Sequence, residues 1–118
     1  MSEGRSHWLF VYGSLKRGQA NHAELARAVF VATACTLPEF ALRMIDGYPA
    51  LVPGNRRVRG ELYRIATPDL ELLDEFEGAG YRRQLIGIEL ETSIQAQAFL
   101  ATAPSAGVPL AGDEWPVP

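Results

Sequence analysis

The sequence predicts one domain of mixed α/β (α+β) class. Three observations lead there: a length of 118 residues, a composition that is 47% hydrophobic and 21% charged, and strand-length apolar runs interrupted by two segments with helical periodicity. A chain of this length buries roughly two thirds of the surface it exposes when unfolded, so its core needs no disulfide or metal staple.

The first element is a strand over residues 8–12, apolar from Trp8 to Val11, which runs into the polar, glycine-bearing loop YGSLKRGQAN. Gly13 and Gly18 permit backbone angles and close approaches that other residues resist. A loop held between a strand and a helix start can aim several N–H donors at one oxygen, which suits a carboxylate, a phosphate or a developing oxyanion. An ordinary strand-to-helix turn has the same letters. The glycine spacing matches a nucleotide-binding P-loop, but Gln19 and Ala20 stand where that motif needs Lys and then Ser or Thr, so the P-loop reading fails.

Asn21 is the expected N-cap of a helix over 22–30, with Ala23, Leu25, Ala26 and Val29 available for burial. Residues 30–37 and 40–45 read as extended segments around Pro38, and Asp46-Gly47-Tyr48-Pro49 carries turn chemistry that predicts a second loop. A strand over 58–65 separates Val58, Gly60, Leu62 and Arg64 from Arg59, Glu61, Tyr63 and Ile65. Thr67 as cap, Pro68 at the first helical position and Asp69 in the first turn then open a second helix, which Gly78 should stop. Strands over 81–91 and 94–101 should pair as a hairpin; the second sets Ile94, Ala96, Ala98 and Leu100 against Gln95, Gln97 and Phe99. From Ala103 on, four prolines and two glycines predict an irregular tail packed over the domain.

The helix from Pro68 to Glu77 carries one carboxylate out of place. At ~100° per residue, Glu71, Asp74 and Glu75 share one arc while Leu70, Leu72, Leu73 and Phe76 fill the opposite one. Glu77 falls on the apolar side, one turn beyond Leu73, so a continuous helix points it toward the interior or a cavity. Desolvation, neighbouring acids and the negative end of the helix dipole would all raise its pKa, as a general base working near neutrality requires. If instead the last turn frays at Gly78, Glu77 swings into solvent. Tyr81 could offer its phenol to the same cavity or begin a strand as half-buried core.

Charge and composition narrow the partners. The net charge is −3, and the ten arginines are dispersed except for Arg56, Arg57 and Arg59, a patch too short for a nucleic-acid surface on an acidic chain. Cys35 is the lone cysteine and the two histidines are far apart, which excludes a disulfide framework and leaves no zinc-ligand pattern; a Cys35–His22 nucleophile pair stays open. No apolar run approaches the ~20 residues of a membrane span. The opening MSEGRSHW lacks a signal or transit composition, so a cytoplasmic protein is expected.

YGSL at 12–15, GQAN at 18–21, GYPAL at 47–51, GELY at 60–63, LDEFEG followed by Tyr81, and the late GDEW at 112–115 together resemble the gamma-glutamylcyclotransferase-like family. The resemblance runs in order through most of the chain and implies a curled, barrel-like mixed sheet flanked by a few helices. It implies that the backbone amides of Tyr12, Gly13, Ser14 and Leu15 hold a gamma-glutamyl group, that Glu77 is the catalytic acid/base, and that Tyr48 and Tyr81 border the cavity. The implied reaction releases 5-oxoproline and a free amine from a small gamma-glutamyl amine or peptide, with no metal or cofactor. Phe99 departs from the pattern, since several relatives have tyrosine there; losing that hydroxyl removes one polar contact to substrate. A binding module that keeps the pocket without the catalysis is the alternative.

Overall fold

A computed structural model describes residues 5–116, so the MSEG opening and the last two residues of the tail lie outside the described residues. Eight strands and one α-helix follow in the order β1 (Ser6–Val11), β2 (Val29–Thr36), β3 (Phe40–Ile45), β4 (Tyr48–Pro53), β5 (Arg59–Ala66), α1 (Thr67–Glu77), β6 (Tyr81–Glu89), β7 (Ser93–Ala101) and β8 (Val108–Pro109). The strands form one mixed sheet in the order β1-β5-β2-β6-β7-β4-β3-β8, and β1 also pairs with β7. That extra pairing curls five strands, β1-β5-β2-β6-β7, into a closed ring. A register slip between Phe30 and Ala32 in β2 supplies a bulge that helps the sheet bend.

The ring splits along one edge of β7. Near Gln97 its neighbour is Leu9 of β1, while near Leu100 its neighbour is Leu51 of β4, both in parallel pairing. Strands β4, β3 and β8 therefore leave the ring as a leaf at the end where β1 gives way to the glycine loop. Phe10, Leu42, Leu51, Leu62, Ile88, Ala96 and Leu100 fill one side of the core, and Leu9, Tyr63, Ile65, Leu70, Leu73 and Phe99 fill the other. Helix α1 covers the second group through Leu70 and Leu73.

Several expectations are corrected. The helix over 22–30 reduces to a 3₁₀ turn, His22–Leu25, that buries Leu25, and Val29 opens β2 with its side chain exposed. Asn21 makes no side-chain cap; its amide is spent on Ser14, and the β-branched run that follows favours a strand. The loop predicted at 46–49 is a two-residue turn with Asp46 and Gly47 at φ 51° and 85°, the left-handed geometry that matches hairpin twist. Strand β4 follows at once, paired with β3 from Ile45↔Tyr48 to Phe40↔Pro53. Its prolines are tolerated because the opposite edge bonds β7 only near Leu51.

The first strand ends at Val11, which leaves Tyr12 in the loop. Ala66 caps α1 in place of Thr67, whose hydroxyl meets His7 Nε2 at 2.8 Å. Leu72 and Phe76 stay exposed, so the buried stripe of α1 is Leu70 and Leu73 alone. Gly78 ends the helix at φ 70°, and β6 and β7 form the expected hairpin. In the tail, β8 pairs with β3 and Trp115 packs on the core. Among the described residues no helix is long and apolar enough to cross a membrane.

Candidate active site

Where the leaf leaves the ring, the separation of β1 from β4 needs a filler, and Tyr12 provides it. Its hydroxyl donates to the Phe99 carbonyl of β7 at 2.7 Å and accepts the Leu51 N–H of β4 at 3.1 Å. The next residues turn away under close control. Gly13 O accepts the Lys16 N–H at 3.0 Å, Ser14 O accepts the Asn21 N–H at 2.9 Å, and Asn21 Nδ2 donates to Ser14 Oγ at 2.8 Å. His22 Nδ1 lies 2.9 Å from Leu15 O.

The far end of the loop is pinned by Glu61, an acid buried in β5. It accepts the Arg17 backbone N–H at 3.0 Å, the Arg17 guanidinium at 3.3 Å and the Tyr63 hydroxyl at 3.0 Å. With both edges fixed, the amides of Gly13, Ser14 and Leu15 donate to no acceptor among the described residues. Three consecutive free donors can make a cradle for an oxygen anion where their N–H groups converge.

The cradle opens on a cavity of about 350 Å³, within the size range of small-ligand sites. Its floor is apolar and buried, made by Phe10, Val11, Leu15 and Phe99, while Tyr48 and Phe76 stand exposed at the rim. Glu77 enters from the last turn of α1. Burial lifts its carboxyl from the usual carboxylate range to about 7. It accepts no hydrogen bond among the described residues, so the carboxylate is available to whatever fills the space. The Tyr81 hydroxyl donates to Pro49 O at 3.2 Å, and burial first, then the charges of Glu77 and Asp46, raise its pKa.

The structure brings every residue anticipated for the site, Tyr12, Gly13, Ser14, Leu15, Tyr48, Glu77 and Tyr81, to the wall of this one cavity. The Tyr12 side chain is a structural strut, so only its backbone is free for a ligand. Phe99 packs into the floor. Cys35 and His22 are not joined: the imidazole is engaged with Leu15 O and lies against the Tyr63 ring, while Cys35 lines a different cleft. The sequence reading missed Asn21 as the anchor of Ser14, Glu61 as the anchor of Arg17, and Pro49 and Phe76 as wall residues. An acid set between Gly60 and Leu62 in a strand interior was the available signal for Glu61.

Gly13 is dictated by a close approach. A Cβ there would lie 2.7 Å from Pro49 Cγ, and a proline ring cannot turn aside. Gly13→Ala is therefore expected to cost about 1–3 kcal/mol as the loop and β4 are forced apart. Thermal melting measures this, and an unchanged Tm would mean that the loop does not press on Pro49.

Comparison with known proteins gives a consistent result. A family model described as gamma-glutamyl cyclotransferase, AIG2-like, matches residues 9–117. The chain is 39% identical over 80 residues to the gamma-glutamylcyclotransferase family protein YtfP of Escherichia coli, covering 66% of this chain and 70% of that one. It is 40% identical over 96 residues to gamma-glutamylaminecyclotransferase C of Danio rerio, covering 73% and 63%. Among solved structures, an AIG2-like protein of Mus musculus superimposes with a TM-score of 0.77 at 29% identity, covering 84% of this chain and 79% of that one.

Proposed function

The chain belongs to the gamma-glutamyl cyclotransferase, AIG2-like family, and from that premise we propose that it cyclises the glutamyl group of a small gamma-glutamyl amine or peptide, releasing 5-oxoproline and the free amine. The observation that carries the proposal is the meeting, in one cavity, of a carboxyl that burial lifts to about 7 and three backbone amides, all without a hydrogen-bond partner among the described residues. The substrate brings its own nucleophile. Folding the α-amino group back onto the γ-carbonyl makes a five-membered ring, and such intramolecular geometry can be worth effective molarities on the order of 10⁵ M or more.

The steps follow from the site. Ionised Glu77 takes one proton from the α-ammonium, and the freed amine attacks the γ-carbonyl carbon while the Gly13, Ser14 and Leu15 amides hold the oxyanion or the α-carboxylate. As the carbonyl re-forms, the bond to the departing nitrogen breaks and Glu77 delivers the first proton to it; the ionised carboxylate then takes the second proton from the ring nitrogen, leaving the neutral lactam N–H, and passes it to the released amine, which departs as an ammonium. Proton, electron pairs and leaving group balance without a cofactor or metal. The rim favours an amine over a second amino acid. Among the described residues no Lys, Arg or His lines the cavity to pair a further carboxylate, whereas the rings of Tyr48 and Phe76 can flank an alkyl or cationic stem.

The test is to offer a panel of gamma-glutamyl amines and gamma-glutamyl amino acids and measure 5-oxoproline. Release from at least one amine supports the reading. Saturable binding of the panel without any 5-oxoproline would establish the non-catalytic binding module instead.

A further inference from the structure

A gamma-glutamyl head carries an α-carboxylate, and among the described residues no cationic side chain lines the cavity to meet it. Neutral donors have to do so, since an anion withdrawn from water is costly unless its oxygens are hydrogen-bonded. Three are the Gly13, Ser14 and Leu15 amides. The hydroxyls of the wall differ in what they already hold. Tyr12 gives its proton to Phe99 O at 2.7 Å, Tyr81 gives its own to Pro49 O at 3.2 Å, and Tyr48 stands exposed at the rim. Ser14 is the hydroxyl that remains: half-buried in the cavity wall, it donates to no acceptor among the described residues.

Asn21 restricts what that hydroxyl can do. Its Nδ2 donates to Ser14 Oγ at 2.8 Å, and its backbone is held on both sides, the N–H by Ser14 O at 2.9 Å and the carbonyl by the Glu24 N–H at 3.0 Å. A serine hydroxyl has one proton and two acceptor sites. With an amide N–H facing one of those sites, a proton pointed the same way would set donor against donor, so it is kept for another acceptor. We propose that the Ser14 hydroxyl is a specificity-determining donor to the α-carboxylate of the gamma-glutamyl head, and that Asn21 is the positioning residue that reserves its proton for that carboxylate. The two oxygens of a carboxylate offer about four acceptor sites, which the three amides and this hydroxyl can match. The inference rests on the proposed reaction for the identity of the head. It names the group by which the site tells a gamma-glutamyl compound from the same compound with its α-carboxyl neutralised.

The experiment titrates 5-oxoproline and its neutral carboxamide, 5-oxoprolinamide, into the unmodified protein and its variants by calorimetry, a readout that needs no turnover. The unmodified protein should bind the carboxylate more tightly. Ser14→Ala should weaken 5-oxoproline binding by roughly 10–100-fold, the worth of a hydrogen bond to a charged group, and weaken the carboxamide much less, whereas Ser14→Thr should keep the preference. Asn21→Leu frees the hydroxyl to rotate and should cost part of the preference, yet nothing further in a Ser14→Ala background. An Asn21→Leu variant with its preference intact removes Asn21 from the positioning role. Equal losses for the two ligands in Ser14→Ala overturn the assignment, as does the absence of saturable 5-oxoproline binding by the unmodified protein. Cyclisation is judged separately, by 5-oxoproline release. A protein that shows the Ser14-dependent preference but releases none keeps this assignment and loses the reaction; release without that preference does the reverse.

Discussion

Glu77→Gln is expected to lower the rate of 5-oxoproline release by roughly 10²–10⁴-fold, the usual contribution of a positioned general acid/base, with the fold intact. Gln matches the shape of Glu but can neither take the α-ammonium proton nor return it. The pH dependence should move with it. Catalysis by the ionised form rises as pH passes through about 7, the value to which burial lifts this carboxyl, and the residual activity of the variant should lack that limb. Stability runs the opposite way. Because the folded-state pKa lies above the unfolded one, the contribution of Glu77 is fully favourable below about 4.5 and is lost as pH rises through about 7. Unlike the native protein, the Gln variant carries no such loss, so the Tm difference between them should shift in its favour from pH 5 to pH 8. Solvent reaching the half-buried side chain holds the effect to on the order of 1 kcal/mol. Full turnover by Glu77→Gln, or equal pH profiles, would take the residue out of this role.

What made Glu77 legible in the sequence was phase. Helical rotation continues without a break to Gly78, so its direction could be counted from Leu70 and Leu73, and both are buried as that count requires. The β6–β7 hairpin was legible for the same reason, since alternation is a local property. Strand β4 was not, because Tyr48-Pro49 directly follows a turn signal and proline argues against a ladder; only the sparsely bonded edge of β4 makes the prolines acceptable. The helix predicted over 22–30 failed because Asn21 had a better partner in Ser14 than the backbone ahead of it. Glu61 escaped notice because its partner Arg17 lies 44 residues earlier, and no periodicity reports such a contact. The local rules thus recovered the carboxylate, while the struts that hold the amide cradle open are tertiary.

The strongest of those struts yields the second large effect. Tyr12→Phe removes a single oxygen, yet that oxygen serves two main-chain groups at once, the Leu51 N–H and the Phe99 carbonyl. Leu51 is fully buried and Phe99 nearly so, so water cannot readily replace it. Leaving two buried polar groups unmet should cost about 2–4 kcal/mol, far more than one net hydrogen bond. Burial also holds the Tyr12 phenol well above its usual pKa. The folded state therefore resists its ionisation, and the native protein should lose stability as pH climbs past about 10, a component that Tyr12→Phe lacks. Chemical denaturation at pH 7 and pH 10.5 measures both terms. Because the seam also sets Phe99 and Pro49 in the cavity wall, the variant should bind gamma-glutamyl substrates more weakly while retaining pH-dependent turnover through Glu77. A variant as stable as the native protein would show that the split between β1 and β4 is held by packing alone, with the phenol incidental to it.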